Sequence, residues 1–168
     1  LHIPSHSFPT RRSSDLSAPA TFKHIDLVFQ NLSKFSTELL KRGHLHDRTK
    51  LLPPEKADFD KNTRNLGKMV YNSPEYKQSK KNMKECLDHH YAANDHHPEH
   101  FQKVDDMNLF QLIEMFCDWC ASVRRSKDGS IYRSLLVNKK RFKLSKQVYN
   151  LMKNTADVFC DKKTKRKQ

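Results

Sequence analysis

Glycine is scarce in this chain, which has only three glycines among 168 residues. Glycine-rich phosphate loops and tight hairpin turns both depend on glycine, so its scarcity argues against a P-loop and against a hairpin-rich β fold. Long apolar runs are also missing. No stretch of about 18 apolar residues occurs, which predicts that no helix spans a membrane. The sequence therefore favours a helical fold without a membrane span.

The length and the charge of the chain indicate what kind of domain it forms and what kind of ligand it attracts. A chain of 168 residues suits one well-packed domain. Hydrophobic residues make up 36% and charged residues 30%, which suits helices whose outer faces are polar and exposed to solvent. The formal net charge of +13 predicts attraction to anionic ligands such as phosphates, nucleotides or nucleic acid.

The two ends of the chain are set apart from the domain. Residues 6–16 resemble the translation of a sequencing adapter, and we interpret residues 1–17 as a disordered leader of artificial origin. The basic residues 159–168 are interpreted as a disordered tail. We expect the domain itself to cover residues 18–158.

The four cysteines are expected to be reduced thiols in a cytosolic protein. Cys117 and Cys120 form a Cys-x-x-Cys string, but no second such string exists to complete a structural zinc site. Both are therefore predicted to be small buried residues.

Hydrophobic periodicity predicts an all-α fold of five to six helices in one domain. The longest β-like pattern covers only residues 131–137. Gly43 is expected to end the first helix, and Pro53-Pro54 to end the second. The expected helices are 21–42, a short one at 44–52, 74–93, 108–125 and 138–156, with residues 55–74 expected to be mostly a loop.

Histidines and carboxylates fall into four segments that together predict one metal centre. The segments are His24 alone, residues 44–50, residues 89–100 and residues 114–119. Neutral imidazole and carboxylate hold Mn, Fe, Co, Ni or Zn in proteins. We therefore expect one or two divalent transition metal ions per chain, with Mn or Fe favoured.

The order of these residues resembles the HD-domain superfamily of metal-dependent phosphohydrolases. His24, the pair His46-Asp47, and Asp118 lie on three predicted helices in the order His, His-Asp, Asp. Lys50 stands three residues after the aspartate of the pair, as in many members. The resemblance implies a compact helical bundle, and it implies that one metal is held by His24, His46, Asp47 and Asp118.

Two-metal members of that superfamily carry additional histidines, which the third segment resembles. By this resemblance Asp47 bridges to a second metal, whose other ligands are His90 and one or both of His96 and His97. Because His89 and His90 point to different helix faces, we expect only His90 to bind. Two cations about 3.5–4 Å apart clamp a phosphate and lower the pKa of a bridging water.

Other polar residues are given supporting roles. Lys50 is expected to neutralise charge on the phosphate. Glu114 stands one helical turn before Asp118 and is a candidate base or ligand partner, while Asn94 is expected to position water or an imidazole. A basic rim expected to bind phosphate contains Arg124, Lys140 and Arg141.

A second resemblance is more specific. The strings HDRTK at 46–50, NDHHPEH at 94–100, IEMFCDW at 113–119 and NKKRF at 138–142 are similar to an uncharacterised family met mainly in phage and bacterial genomes. This resemblance covers residues 22–158 and implies no established reaction. It implies a location in the cytoplasm of a bacterium or of a phage-infected host.

We interpret the chain as a metal-dependent phosphohydrolase that acts on a nucleotide or a related phosphate ester. A di-iron oxygenase is an alternative, because an inositol oxygenase uses a similar His, His-Asp, His, His, Asp arrangement. A non-catalytic phage protein that binds nucleotide or nucleic acid through a retained site is the other alternative.

Overall fold

A computed structural model describes residues 14–66, 69, 73–125 and 129–160. Within these residues the chain forms seven α-helices and three short 3-10 helices, without strands. This confirms the all-α prediction, although the helices outnumber the five or six expected. The α-helices are α1 Ser14–Leu45, α2 Glu55–Leu66, α3 Pro74–Asn82, α4 Lys84–Ala93, α5 Leu109–Arg124, α6 Ile131–Arg141 and α7 Lys146–Phe159. The 3-10 helices are Arg48–Leu51, Pro98–His100 and Val104–Asp106.

Contacts divide the chain into two units, residues 1–41 and residues 42–168. In the first unit, α1 exposes its apolar stripe, including Phe22, Phe29 and Leu32. The helix contains the predicted 21–42 pattern but begins at Ser14 and passes through Gly43. Gly43 does not end it, because no described glycine adopts a positive φ. No helix among the described residues is both long and apolar enough to cross a membrane.

The predicted ends of the domain are only partly visible. Residues 14–17, the last part of the predicted leader, are helical. Residues 1–13 and 161–168 lie outside the described residues. The predicted domain boundaries at 18 and 158 stay a prediction.

The core of the second unit lies between α5, α6 and α7. Ile131 and Leu135, one turn apart on α6, are completely buried and pack with Met115 of α5 and Met152 of α7. Trp119 and Phe142 have nearly parallel rings, with centroids 6.1 Å apart. Leu109 is 61% exposed, since it is the first residue of α5 and precedes the packed part of the helix.

Cysteine burial follows the prediction only in part. All four cysteines are free, and Cys120 is buried. Its Sγ atom lies 3.3 Å from that of Cys160, which is also buried. Cys117 was expected to be buried but is exposed, because it points away from the side of α5 that carries Met115 and Phe116 in the core.

The C-terminal half differs from the prediction of one helix over 138–156. Residues 131–137, the best β-like stretch, belong to α6, where the buried side chains, Ile131 and Leu135, are four residues apart as on one face of a helix. The chain then breaks at Lys143, which has a φ of 52°. Ser145 caps α7 by accepting a hydrogen bond from the backbone N–H of Val148.

Two further expectations between residues 44 and 93 are corrected. Residues 48–51 form a 3-10 helix in place of the α-helix expected at 44–52. Residues 55–66 form α2 instead of a loop, with acidic residues in the first turn that complement the helix dipole. The helix expected at 74–93 is interrupted at Met83, which is buried and has a φ of −102°. Ser73 caps the start of α3. The helix predicted at residues 108–125 is confirmed as α5, and Asn108 and Gln111 form a capping box at its start.

Gly129 generates a prediction about stability. A Cβ placed there would lie 1.7 Å from the carbonyl oxygen of Val123, whereas a Cβ at Gly43 would meet nothing within 4 Å. We expect Gly129→Ala to lower the free energy of unfolding by about 1–3 kcal/mol through this clash. Gly43→Ala, the matched control in a helix, should raise it by about 0.5–1 kcal/mol. Urea unfolding followed by circular dichroism measures both, and equal effects would contradict the prediction.

Candidate metal centre

Asp47 occupies the junction between α1 and the 3-10 helix that follows it. Its backbone is left-handed, with φ 57° and ψ 16°. Non-glycine residues rarely adopt this conformation, although aspartate tolerates it better than most. Such strain costs about 1–3 kcal/mol and tends to persist where the surrounding structure holds a functional group in place.

Three histidines bring their Nε2 atoms to one oxygen of Asp47. The distances to Asp47 Oδ1 are 3.1 Å for His90, 3.5 Å for His96 and 4.0 Å for His97. The Nε2 atoms of His90 and His97 are 2.9 Å apart. These four residues, which we call the Asp47 cluster, form a group that could hold a metal ion.

Two atoms of the Asp47 cluster are buried without a hydrogen-bond partner. They are Asp47 Oδ1 and His96 Nε2. Buried polar atoms nearly always have a partner, and an exception needs an explanation. A carboxylate oxygen and imidazole nitrogens that face one another are the donor atoms of transition-metal sites, so the residues fit a divalent cation.

Buried carboxylates determine which ring nitrogen of each histidine is available. His90 Nδ1 lies 2.8 Å from Glu55 Oε2, and His96 Nδ1 lies 3.2 Å from Glu114 Oε1. An ionised carboxylate can only accept, so each Nδ1 donates its proton. In the neutral ring, Nε2 then carries the lone pair and points toward Asp47. Carboxylate–imidazole pairs of this kind orient the ligands of metal sites.

Glu114 organises a second histidine in the same way. Its Oε1 atom also accepts from His46 Nδ1 at 2.9 Å, and Arg42 Nε donates to its Oε2 at 2.7 Å. Burial would raise the pKa of Glu114, but hydrogen bonds from His46 and His96 outweigh it and lower the pKa strongly. Glu114 is therefore an ionised acceptor that holds two imidazoles. His46, His96 and Glu114 form a second group that could hold a metal ion.

The second oxygen of Asp47 faces a different set of groups. Asp47 Oδ2 lies 3.5 Å from His46 Nε2, and that nitrogen lies 3.7 Å from Asp118 Oδ1. The neighbouring carboxylate of Asp118, followed by the hydrogen bond to Glu114, raises the pKa of His46 to about 10. A divalent cation bound at Nε2 would replace this proton. Asp47 thus stands between two sets of donor atoms.

Two other ionisation states suit metal binding. Burial tends to raise the pKa of Asp47, but the neighbouring His90 and the charge of Lys50 lower it far below its usual value. Burial, followed by the neighbouring His96 and His90, lowers the pKa of His97 to about 3. The cluster therefore offers an ionised carboxylate and a neutral imidazole near neutral pH.

The remaining predicted residues fall in different places. Lys50 Nζ donates to Asp47 Oδ2 at 2.5 Å. Asn94 Nδ2 donates to Thr49 Oγ1 at 2.9 Å and to the carbonyl oxygen of His90 at 2.8 Å, so it ties two segments of the centre together. His24 is exposed on α1 in the first unit and is not in either metal-binding group. Its role as a ligand stays a prediction.

The expected basic rim is divided. Lys140 and Arg141 line a groove beside α4. Arg124 is exposed in the last turn of α5 and does not line that groove. The phosphate-binding roles of all three residues stay predictions.

Sequence reasoning missed Glu55, which is completely buried. It accepts hydrogen bonds from His89 Nδ1 and Thr49 Oγ1 as well as from His90. In the sequence it is an acidic residue in the first turn of a helix after two prolines, which usually only complements the helix dipole. Its contact also explains the two adjacent histidines: His90 is buried in the centre, while His89 is exposed and reaches Glu55 from outside.

Fold and site together define an all-α protein with a histidine- and carboxylate-rich candidate metal centre. The chain belongs to DUF5662, a family of unknown function whose model matches residues 14–163. This confirms the resemblance to an uncharacterised family and extends it beyond the expected residues 22–158. No curated protein and no solved structure matches the chain.

The Asp47 cluster predicts metal content. Protein purified without chelator should carry at least one divalent transition metal ion per chain. Asp47→Ala should lose it, because Asp47 Oδ1 faces the Nε2 atoms of three histidines. Plasma mass spectrometry measures the metal, and circular dichroism checks that the helices remain. Asp105→Ala, which removes an exposed carboxylate outside the centre, is the control. Full metal content in Asp47→Ala would show that the assignment is wrong.

The hydrogen bond between Glu55 and His90 predicts that a substitution of Glu55 weakens metal binding without abolishing it. Glu55→Gln can no longer anchor His90 Nδ1 with a charged acceptor, and loss of such support typically lowers metal affinity about 10–100-fold. Titration calorimetry with Mn²⁺ or Zn²⁺ measures the affinity. Glu85→Gln, an exposed change on α4, should leave it unchanged. Identical affinities for both variants would rule out the anchoring role.

Proposed function

We propose that this chain is a metal-dependent phosphohydrolase of the HD-domain type that acts on a nucleotide or a related phosphate ester. The observation that supports this most is the position of Asp47. One of its oxygens faces His90, His96 and His97, and the other faces His46 beside Asp118. A carboxylate shared between two sets of ligands is the arrangement required to bridge two cations.

In this proposal Asp47, His90, His96 and His97 hold one ion. A second ion takes His46, Asp47 and Asp118, with His24 as the predicted fourth ligand. Bound divalent cations lower the pKa of a water nucleophile and neutralise phosphate charge.

The protein's own groups support phosphate binding beside these ligands. Lys50 is about two-thirds buried, and its ammonium group lies at Asp47 Oδ2 and 5.0 Å from the ring centroid of Phe59. This position would let it neutralise an oxygen of a phosphate bound to the metal ions beside Asp47. The contacts of Glu114 with three basic side chains favour orientation of ligands over action as a base. Asn94 likewise acts through Thr49 and His90.

The family has no known function, so its match indicates neither a substrate nor a cellular compartment. Net charge of +13 favours an anionic substrate. We propose a phosphate-containing small molecule, with a nucleotide preferred, and a cytoplasmic location in a bacterium or an infected host.

Hydrolysis should depend on the Asp47 cluster. Purified protein with Mn²⁺ is screened against nucleotides and aryl phosphate mono- and diesters, with phosphate and leaving-group detection. His90→Ala should lose one metal ion and reduce hydrolysis more than about 100-fold, because it removes a ligand and not only its support. His46→Ala should lose both ions, since it removes the imidazole next to the shared carboxylate.

His100→Ala is the matched control, because His100 is exposed and is in neither group of residues that could hold a metal ion. It should keep both metal content and rate. Wild-type protein that binds metal without hydrolysing any ester would contradict the proposal. A coloured iron protein that consumes oxygen would favour the oxygenase instead.

A further inference from the structure

A basic groove lies between α3, α4 and α6, outside the Asp47 cluster. Its volume is about 850 Å³. Two carboxylates, Asp88 and Glu99, also line it. Its cations, which outnumber them, are Lys77, Lys80, Lys81, Lys84, Lys140 and Arg141. A concave surface of one sign concentrates ligands of the opposite sign, so this lysine groove suits a polyanion.

Cations of both α3 and α4 line the groove. Lys77, Lys80 and Lys81 recur at spacings of three and four on α3, which places them on one helix face. Lys84 follows at the start of α4, after the break at Met83, and lines the same groove. The groove therefore holds cations for more than one phosphate group.

Contacts inside the groove leave it basic. Lys84 pairs with Asp88, and Arg141 pairs with Glu99, so both carboxylates are neutralised locally. Lys77 and Lys81 are exposed at the α3 side, and Lys140 is exposed at the α6 side. These three cations add charge beyond the two ion pairs.

The groove also has surfaces for bases. Tyr76, Tyr91, Leu87 and Val137 line it among the cations. Aromatic side chains between cations stack successive bases in single-strand binding proteins, and they tolerate any base because every base has a π face. A bilayer surface or an acidic peptide would not need this alternation of rings and lysines.

Tyr91 separates the groove from the candidate metal centre. Its ring centroid lies 5.0 Å from that of His97 and 6.0 Å from that of His90. Its hydroxyl accepts a hydrogen bond from Lys80 Nζ at 2.9 Å. One aromatic ring therefore touches the lysine groove on one side and two predicted metal ligands on the other.

We propose that the lysine groove binds the sugar-phosphate backbone of a single-stranded nucleic acid and delivers it past Tyr91 to the Asp47 cluster. Binding is a property of the groove alone, whereas delivery for cleavage rests on the proposed phosphohydrolase function. The substrate class would then be a phosphodiester in a strand.

Fluorescence anisotropy tests binding with labelled oligothymidylate and oligouridylate, in chelator and at several salt concentrations. The double variant Lys77→Glu/Lys81→Glu should lose about tenfold or more in affinity. Each lost phosphate contact lowers the slope of log affinity against log salt by about 0.7 for single strands, so the slope should fall by about 1.4. Lys77→Gln/Lys81→Gln should show a smaller loss in the same direction.

The matched control is Lys146→Glu/Lys153→Glu, two exposed lysines on α7 that are not in the groove. It makes the same change in net charge and should alter affinity less than about twofold. Equal losses in both double variants would overturn the proposal, because the attraction would then belong to the whole basic chain. Equal affinity for a duplex or for a mononucleotide would overturn it as well.

A cleavage assay, run beside the binding assay, distinguishes strand binding in the groove from the proposed phosphohydrolase function. Strand binding in the groove without cleavage of any ester in Mn²⁺ supports the inference and contradicts the phosphohydrolase. Hydrolysis of mononucleotides by a protein that does not bind strands overturns the inference and leaves the phosphohydrolase standing.

Discussion

The candidate centre depends on hydrogen bonds between buried carboxylates and the Nδ1 atoms of its histidines. Glu55 is completely buried, and Glu114 is nearly so. A carboxylate buried without partners would be strongly destabilising, and breaking a buried pair typically costs about 3–5 kcal/mol. Each carboxylate here meets several donors. The imidazoles are thereby held with Nε2 toward Asp47, so the groups that stabilise the interior also prepare the ligands.

Two buried polar atoms that lack hydrogen-bond partners lie together at the centre of the Asp47 cluster. Glu55 and Glu114 satisfy the outer nitrogens of the rings, while Asp47 Oδ1 and His96 Nε2 stay without partners. If the histidines served only to fill the interior, their inner nitrogens would also be expected to find partners. The left-handed backbone of Asp47 has the same implication, because the chain keeps a strained residue where its carboxylate faces three imidazoles.

The sequence predicted those helices whose ends and buried face are marked by residues within the helix itself. The capping box at Asn108 and the apolar spacing of α5 located that helix closely. The resemblance to the HD-domain superfamily pointed to His90, His96 and His97, whose Nε2 atoms face Asp47 Oδ1. Residues 55–66 lacked such a signal, since α2 is mostly polar and packs chiefly through contacts with α4 and the 3-10 helix before it. Glu55 was missed for the same reason: its role arises from contact with His90, which lies 35 residues away in the sequence.

The arrangement around Tyr91 links the basic character of the chain to its candidate centre. Positive charge alone indicates only a preference for anions. Lysines of α3 and α4 line the groove, so anions are attracted along its length. Tyr91 of α4 also lies in the wall of this groove. Because α4 also carries His90, one turn of this helix holds both a wall of the groove and a predicted ligand. On α4, therefore, a wall of the proposed anion groove lies next to a candidate metal ligand.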